Sequence, residues 1–178
     1  MSRRYKFHDP TGLYFISFAT VGWVDLFTRR EYRDILVDSL KHCQEHKGLL
    51  LYEWVIMSNH VHLLAAAAAG SQLAGIIRDL KKFTSGTIHR KLAADVSESR
   101  RTWMLAIFEE AGREQVGNSG FQLWQQHNQP LLVDTAADLD RVTQYIRNNP
   151  VRSGMVSVPE DYVYSSAFKP GLLRLEEV

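Results

Sequence analysis

Cysteine is nearly absent from this sequence, with Cys43 as its sole representative among 178 residues. A lone cysteine excludes the intramolecular disulfide framework that many small secreted folds need. The chain also lacks an initial basic segment followed by an apolar one, and no stretch approaches the roughly 20 apolar residues that cross a bilayer. We therefore expect a soluble, cytoplasmic protein with no membrane partner.

A marked excess of either charge is also absent, since the formal net charge is +1. The basic residues are nevertheless uneven, because residues 71–92 contain five of them against the single acid Asp79. The five are Arg78, Lys81, Lys82, Arg90 and Lys91. Such a cluster is typical of a patch for a polyanion, but a solvated helix face has the same composition. Both interpretations stay open on charge alone.

The hydrophobic pattern predicts strands and helices that follow one another within a single domain, residues 1–178. Strands are predicted at residues 13–20, 49–57, 60–67 and 121–125, and helices at residues 29–46, 71–92, 97–110 and 136–148. Pro150 is expected to stop the last helix, because the residue before a proline is disfavoured in helical conformation. The order predicts an α+β fold, a split βαβ sandwich in which helices cover one face of an antiparallel sheet.

Two histidines, His60 and His62, stand two residues apart near the start of a predicted strand. Alternate side chains of a strand point to the same face, so both imidazoles can bind one cation while Val61 faces the core. The same spacing also arises by chance. The pair is therefore a candidate metal site that needs a further element.

Tyr145 and Asn149 supply that element near the end of the last predicted helix. Residues four apart share a helix face, which would set a phenol beside an amide oxygen. A cation held by His60, His62 and Asn149 would suit Mg²⁺ or Mn²⁺, and it would align a phosphodiester for attack by Tyr145. The alternatives are a half-buried structural tyrosine and an asparagine that caps the helix.

Five segments spread along the chain resemble the REP-associated single-tyrosine transposases, which are HUH endonucleases related to IS200-like elements. The segments are WVIMSNHVHLL at 54–64, RDLKKFT at 78–84, FQLWQ at 121–125, YIRNNPVR at 145–152 and YSSA at 164–167. The resemblance implies a ferredoxin-like domain that cleaves single-stranded or hairpin DNA and keeps a 5′-phosphotyrosine link. It implies that His60 and His62 are metal ligands, that Tyr145 is the nucleophile and that Asn149 completes the coordination. The alanine run at 65–69 departs from the family, in which varied side chains are usual.

Binding of a DNA strand end should depend on phosphate contacts for affinity and on aromatic faces for unpaired bases. The phosphate candidates are Arg78, Lys81 and Lys82, the arm residues Arg3, Arg4 and Lys6, and the late arginines Arg147 and Arg152. Trp124, Gln125 and His127 could contact bases, although a tryptophan is more often a core residue. His127 is also an alternative third metal ligand.

Two other functions are compatible with the same sequence. One is a non-enzymatic single-stranded nucleic-acid binder that stacks bases on exposed aromatic residues of its sheet. Phe15 and Phe18 give this function little support, because residues three apart on a strand point to opposite faces. The other is a metal nuclease that activates water and never becomes linked to its product. A homodimer, with the tyrosine acting within or between chains, also stays open.

Overall fold

The computed structural model describes residues 7–114 and 120–177, and its strands and helices follow the predicted order closely. The strands are β1 (Tyr14–Ala19), β2 (Leu49–Ile56), β3 (His60–Ala67) and β4 (Leu131–Leu132), and the α-helices are α1 (Arg30–His46), α2 (Leu73–Ala94), α3 (Arg101–Arg113) and α4 (Ala136–Arg152). Within these described ranges no helix is both long and apolar enough to cross a bilayer. The arm residues Arg3, Arg4 and Lys6 lie outside the described residues.

The four strands form one antiparallel sheet in the order β2-β3-β1-β4. Helix α1 connects β1 to β2, and β3 lies between these two strands in the sheet. This is the predicted split βαβ arrangement. The predicted α+β, ferredoxin-like fold is confirmed. The register sets Ser17 of β1 opposite His62 of β3, which places the histidine pair in the centre of the sheet.

The fourth strand was predicted in the wrong place. Residues 121–125 form only an isolated bridge between Thr20 and Trp124, and the ladder beside β1 is made by β4 instead. Leu123 and Trp124 are both buried although they are adjacent, which is incompatible with the alternation of a half-buried strand. The apolar residues of this segment therefore reflect a buried irregular loop.

Helices cover both faces of the sheet, whereas one face was predicted. Helices α1 and α2 pack against each other, and the Lys81 ammonium of α2 lies over the ring of Phe18. Helix α4 packs on β2 and β3, where Tyr145 meets His62. Because Phe18 and His62 point to opposite faces, the one-face prediction holds for α1 and α2 and fails for α4.

Helix α4 continues through Pro150 to Arg152, beyond its predicted end at residue 148. The proline is buried, and the turn that contains it closes with bonds from the amides of Ser153 and Gly154 to the carbonyls of Asn149 and Val151. A proline lacks the amide hydrogen of one helical bond, while burial of its ring contributes favourably to stability. Gly154, at a φ of 72°, supplies the left-handed residue that ends the helix.

The segment after α4 lies along the outer edge of β2. The amides of Ser166 and Glu176 donate to the carbonyls of Trp54 and Leu51, and Ile56 donates to the Tyr164 carbonyl. These bonds satisfy backbone groups that an uncovered edge strand would expose. The YSSA segment thus has a structural role beside the sheet.

Candidate active site

The site lies on the sheet face beneath α4, where His60 and His62 stand side by side on β3. Their ring centroids are 4.8 Å apart. His62 is buried with 4% of its surface exposed, while His60 is partly exposed. The predicted common direction of the two imidazoles is therefore present.

Asn59 orients His60. Its amide nitrogen donates to the Trp23 carbonyl at 3.2 Å and to Asp25 Oδ1 at 3.0 Å, so its amide oxygen is the atom that faces His60 Nδ1 at 2.7 Å. An amide oxygen only accepts, which assigns the ring proton to Nδ1 and leaves the lone pair on Nε2. Burial lowers the pKa of His60, while a hydrogen bond with the Asn149 side chain acts in the opposite direction.

His62 is neutral for a related reason. Burial, and then the neighbouring His60, lower its pKa to about 3. Its Nδ1 atom is buried and has no hydrogen-bond partner among the described residues, while Nε2 faces the Tyr145 hydroxyl at 3.5 Å. Both imidazoles are thus in the neutral form that a metal ligand requires.

Tyr145 extends from α4 toward the histidine pair, where its ring contacts His62. The residue as a whole is 39% exposed. Phe15 stacks on the His62 ring at 5.3 Å and meets the Tyr145 ring edge-on at 5.8 Å. The Arg152 guanidinium lies 5.8 Å from the centre of the Tyr145 ring. Phe15 thus contacts both His62 and Tyr145, which sequence alone missed because the contacts depend on the β1–β3 register.

Glu53 anchors α4 to the sheet, and sequence reasoning missed this residue as well. Its carboxylate is buried and accepts two bonds from Arg147, at 3.1 and 2.5 Å, together with one from the Ser166 hydroxyl. An acid within an otherwise apolar strand was the available signal. Because Glu53 neutralises Arg147, that arginine positions the helix and is a poor candidate for a phosphate contact.

A groove of about 1160 Å³ lies between α2 and residues 121–128, and we call it the α2 groove. The predicted DNA contacts Arg78, Lys81, Lys82, Trp124 and Gln125 all line it, together with Phe83, His89 and Arg90. Phe83 is 61% exposed. The structure therefore brings the basic cluster and the aromatic segment together, as an exposed surface on the α2 side of the sheet.

Two members of this set have structural roles. Lys81 donates to the Gln125 carbonyl at 2.8 Å and to Asn128 Oδ1 at 2.6 Å, and burial lowers its pKa to about 8. Trp124 is 5% exposed and donates to Thr84 Oγ1 at 3.0 Å, so the core alternative is the correct one. Arg78 and Lys82 remain exposed to solvent, although Arg78 pairs with Asp79 at 3.0 Å.

The donor set fits an exchangeable divalent ion. Two neutral imidazoles, one with its lone pair assigned to Nε2, stand beside the amide of Asn149. The described residues include no group of three or more His, Cys, Asp or Glu side chains placed to hold a metal. His127 is exposed, and no described hydrogen bond or ring contact links it to either histidine. Asn149 is therefore the better candidate for a third ligand.

Comparison with known proteins found a matching family model and matching solved structures. The family model described as "Transposase IS200 like" matches residues 23–149, which include both histidines, Tyr145 and Asn149. The fold is similar to a solved REP-associated tyrosine transposase bound to a REP hairpin, with a TM-score of 0.67, 17% identity, and coverage of 93% of this chain and 82% of that one. A candidate transposase from Deinococcus radiodurans is 21% identical over 83% of this chain and 95% of that one, with a TM-score of 0.48. No curated protein matches the chain.

Proposed function

The chain belongs to the IS200-like transposase family, and from that premise we propose that it is a metal-dependent nicking and strand-transfer enzyme for single-stranded or hairpin DNA. The observation that carries the proposal is the distance of 3.5 Å between the hydroxyl of the partly exposed Tyr145 and Nε2 of His62. A nucleophile and its neighbouring ligand set need such proximity. All of these residues belong to one chain, so the site needs no second subunit, although a homodimer stays compatible with it.

The proposed reaction is an in-line displacement at phosphorus. The Tyr145 oxygen forms a bond to the phosphorus and releases its proton to water, while the bond from phosphorus to the 3′ oxygen breaks. The departing oxygen takes a proton and becomes a 3′-hydroxyl, and the 5′-phosphate stays on the tyrosine. Attack by another 3′-hydroxyl reverses these steps and joins two strands. Phe15 limits the motion of the phenol during both steps, and the Arg152 charge attracts the phosphate.

His60, His62 and Asn149 are the residues that would hold the ion. When bound there, Mg²⁺ or Mn²⁺ would polarise a non-bridging phosphate oxygen. The chain contributes the neutral state of both imidazoles through burial and the lone pair on His60 Nε2 through Asn59. Asn149 shares a helix face with Tyr145 because the two are four residues apart on α4, and the Glu53–Arg147 pair holds that helix on the sheet.

We also propose the α2 groove as a surface for the DNA backbone. Its exposed cations Arg78, Lys82 and Arg90 can pair with phosphates, and the exposed Phe83 offers a face to an unpaired base. The solved relative of similar fold is bound to a REP hairpin, which supports a folded DNA end as the partner.

A denaturing gel with labelled hairpin DNA and Mn²⁺ tests the proposal. The unaltered protein should give a covalent adduct, and Tyr145→Phe should give none while binding stays nearly unchanged, because only the phenolic oxygen is removed. Tyr52→Phe is the matched control, since Tyr52 is a partly buried tyrosine on β2. Cleavage without an adduct would favour the water-activating nuclease, and metal-independent binding without cleavage would favour the non-enzymatic binder.

A further inference from the structure

We propose that Trp23 forms a stacking platform for one unpaired nucleobase beside the His60–His62 pair. The indole is 58% exposed, which is unusual for the largest side chain in a folded chain. Nothing in the proposed cleavage chemistry uses it. The inference rests on the proposed function in one respect, because it takes a single DNA strand as the ligand.

The backbone keeps the indole exposed in an unfavourable conformation. Gly22 and Trp23 have φ values of 63° and 54°, so two successive residues are left-handed. A side chain as large as tryptophan rarely adopts this conformation, and such residues concentrate at functional sites. The turn is held by the Trp23 amide, which donates to the Thr20 carbonyl at 3.2 Å, and by the Asn59 amide, which donates to the Trp23 carbonyl.

The same Asn59 side chain joins this turn to the site. It bonds the Trp23 carbonyl on one side and His60 Nδ1 on the other, so the positions of Trp23 and His60 are coupled. The Trp23 and His60 ring centroids are 6.1 Å apart, and those of His62 and Tyr145 are 5.1 Å apart. Trp23 and Tyr145 therefore flank the histidine pair, one beside each ring. A strand whose phosphate reaches Tyr145 would pass Trp23 with a neighbouring base.

A nucleobase fits this surface better than a charged group does. The carboxylate of Asp25 is already bonded by Asn59, and the Arg100 guanidinium donates to the Asp25 carbonyl at 2.8 Å. These two polar groups are thus satisfied, and the exposed feature beside them is the Trp23 indole. Stacking on such a face accepts any base, because every base has a π-surface.

Binding of a short oligothymidylate, measured by fluorescence anisotropy, tests this assignment. All variants carry Tyr145→Phe, so cleavage does not affect the measurement. Trp23→Ala should weaken binding about 5- to 150-fold, the range expected for loss of one stacked base, and Trp23→Phe should weaken it less. Trp103→Ala is the matched control, because Trp103 is 45% exposed on α3; it should change binding less than about twofold.

Photocrosslinking provides a second readout with Trp23 intact. Oligothymidylate that carries 5-iodouracil should crosslink to the peptide containing Trp23, as identified by mass spectrometry. Equal binding by the Trp23→Ala and Trp103→Ala variants, or crosslinks confined to Phe83 or Trp103, would overturn the assignment. Failure of the proposed cleavage is separate. It would appear as no adduct in protein with Tyr145 intact, whether or not Trp23 binds the oligonucleotide.

Discussion

The guanidinium of Arg147 on α4 donates two hydrogen bonds to the buried carboxylate of Glu53 on β2. Glu53 is 5% exposed, and the pair fixes the helix that carries Tyr145 and Asn149 over the histidines. The Ser166 hydroxyl also bonds this carboxylate, so the segment after α4 supports the same anchor. The position of Tyr145, the proposed nucleophile, thus depends on an ion pair between two other residues, Glu53 and Arg147.

Removing Arg147 should destabilise the fold, because Glu53 would keep a buried charge without its cation. Loss of one partner of a buried pair costs about 3–5 kcal/mol, and the partial exposure of Arg147 lowers the expectation to about 2–3 kcal/mol. Urea unfolding of Arg147→Ala measures this loss. Arg141→Ala is the control, since the exposed Arg141–Asp138 pair of the same helix should contribute less than about 1 kcal/mol. Equal losses in the two variants would contradict the anchor.

Removing His62 should abolish both ion binding and cleavage. The ligand set would fall to one imidazole and one amide, and we expect cleavage to drop by two or more orders of magnitude, roughly 3 kcal/mol of barrier or more. Titration with Mn²⁺ followed by electron paramagnetic resonance measures binding, and the denaturing gel measures cleavage. His42→Ala on α1 removes an exposed histidine and serves as the control. Unchanged ion binding by His62→Ala would place the metal elsewhere.

The exposed cations of the α2 groove should determine the salt dependence of DNA binding. If Lys82 contacts one phosphate, Lys82→Ala should reduce the slope of log K against log salt by about 0.7 for a single strand. Anisotropy titrations at several salt concentrations give the slope. Lys41→Ala on α1 also removes an exposed lysine and should leave the slope unchanged. Identical slopes for the two variants would exclude Lys82 from the contact.

The free energy of unfolding should rise with pH as Lys81 titrates. Burial lowers its pKa from 10.5 to about 8 in the folded state, so between these values the unfolded chain holds a proton that the folded chain does not. The free energy of unfolding therefore increases between pH 8 and 10.5, by on the order of 1–3 kcal/mol. Below pH 8 the folded protein buries the charged Lys81 ammonium, and the full cost of that burial is present.

Urea unfolding at several pH values tests this linkage. Lys81→Met removes the titrating ammonium, so it should flatten the rise in the free energy of unfolding between pH 8 and 10.5. Lys82→Met changes an exposed neighbouring lysine and should keep the rise. If the Lys81→Met curve keeps the slope of the parent curve, another group titrates in this window.

The sequence alone determined the order of the elements, the face shared by His60 and His62, and the spacing of Tyr145 and Asn149. These properties follow from local periodicity, because alternate strand residues and fourth helix residues share a face whatever surrounds them. The motif segments also carried the family resemblance without any knowledge of packing. The three-dimensional meeting of β3 and α4 was a hypothesis from the chemistry of their side chains, and the resemblance implied it as well.

Only the tertiary structure decided what depends on packing between distant segments. In the structure α4 continues through Pro150, residues 121–125 form a buried loop, and α4 lies on the opposite face of the sheet from α1 and α2. Lys81, Trp124 and Arg147 have structural roles. The structure also showed the stacking of Phe15 on His62, the burial of Glu53 and the left-handed backbone conformation of Trp23. Burial and side-chain pairing between segments far apart in the chain outweigh local preferences at these positions, and no local pattern encodes them.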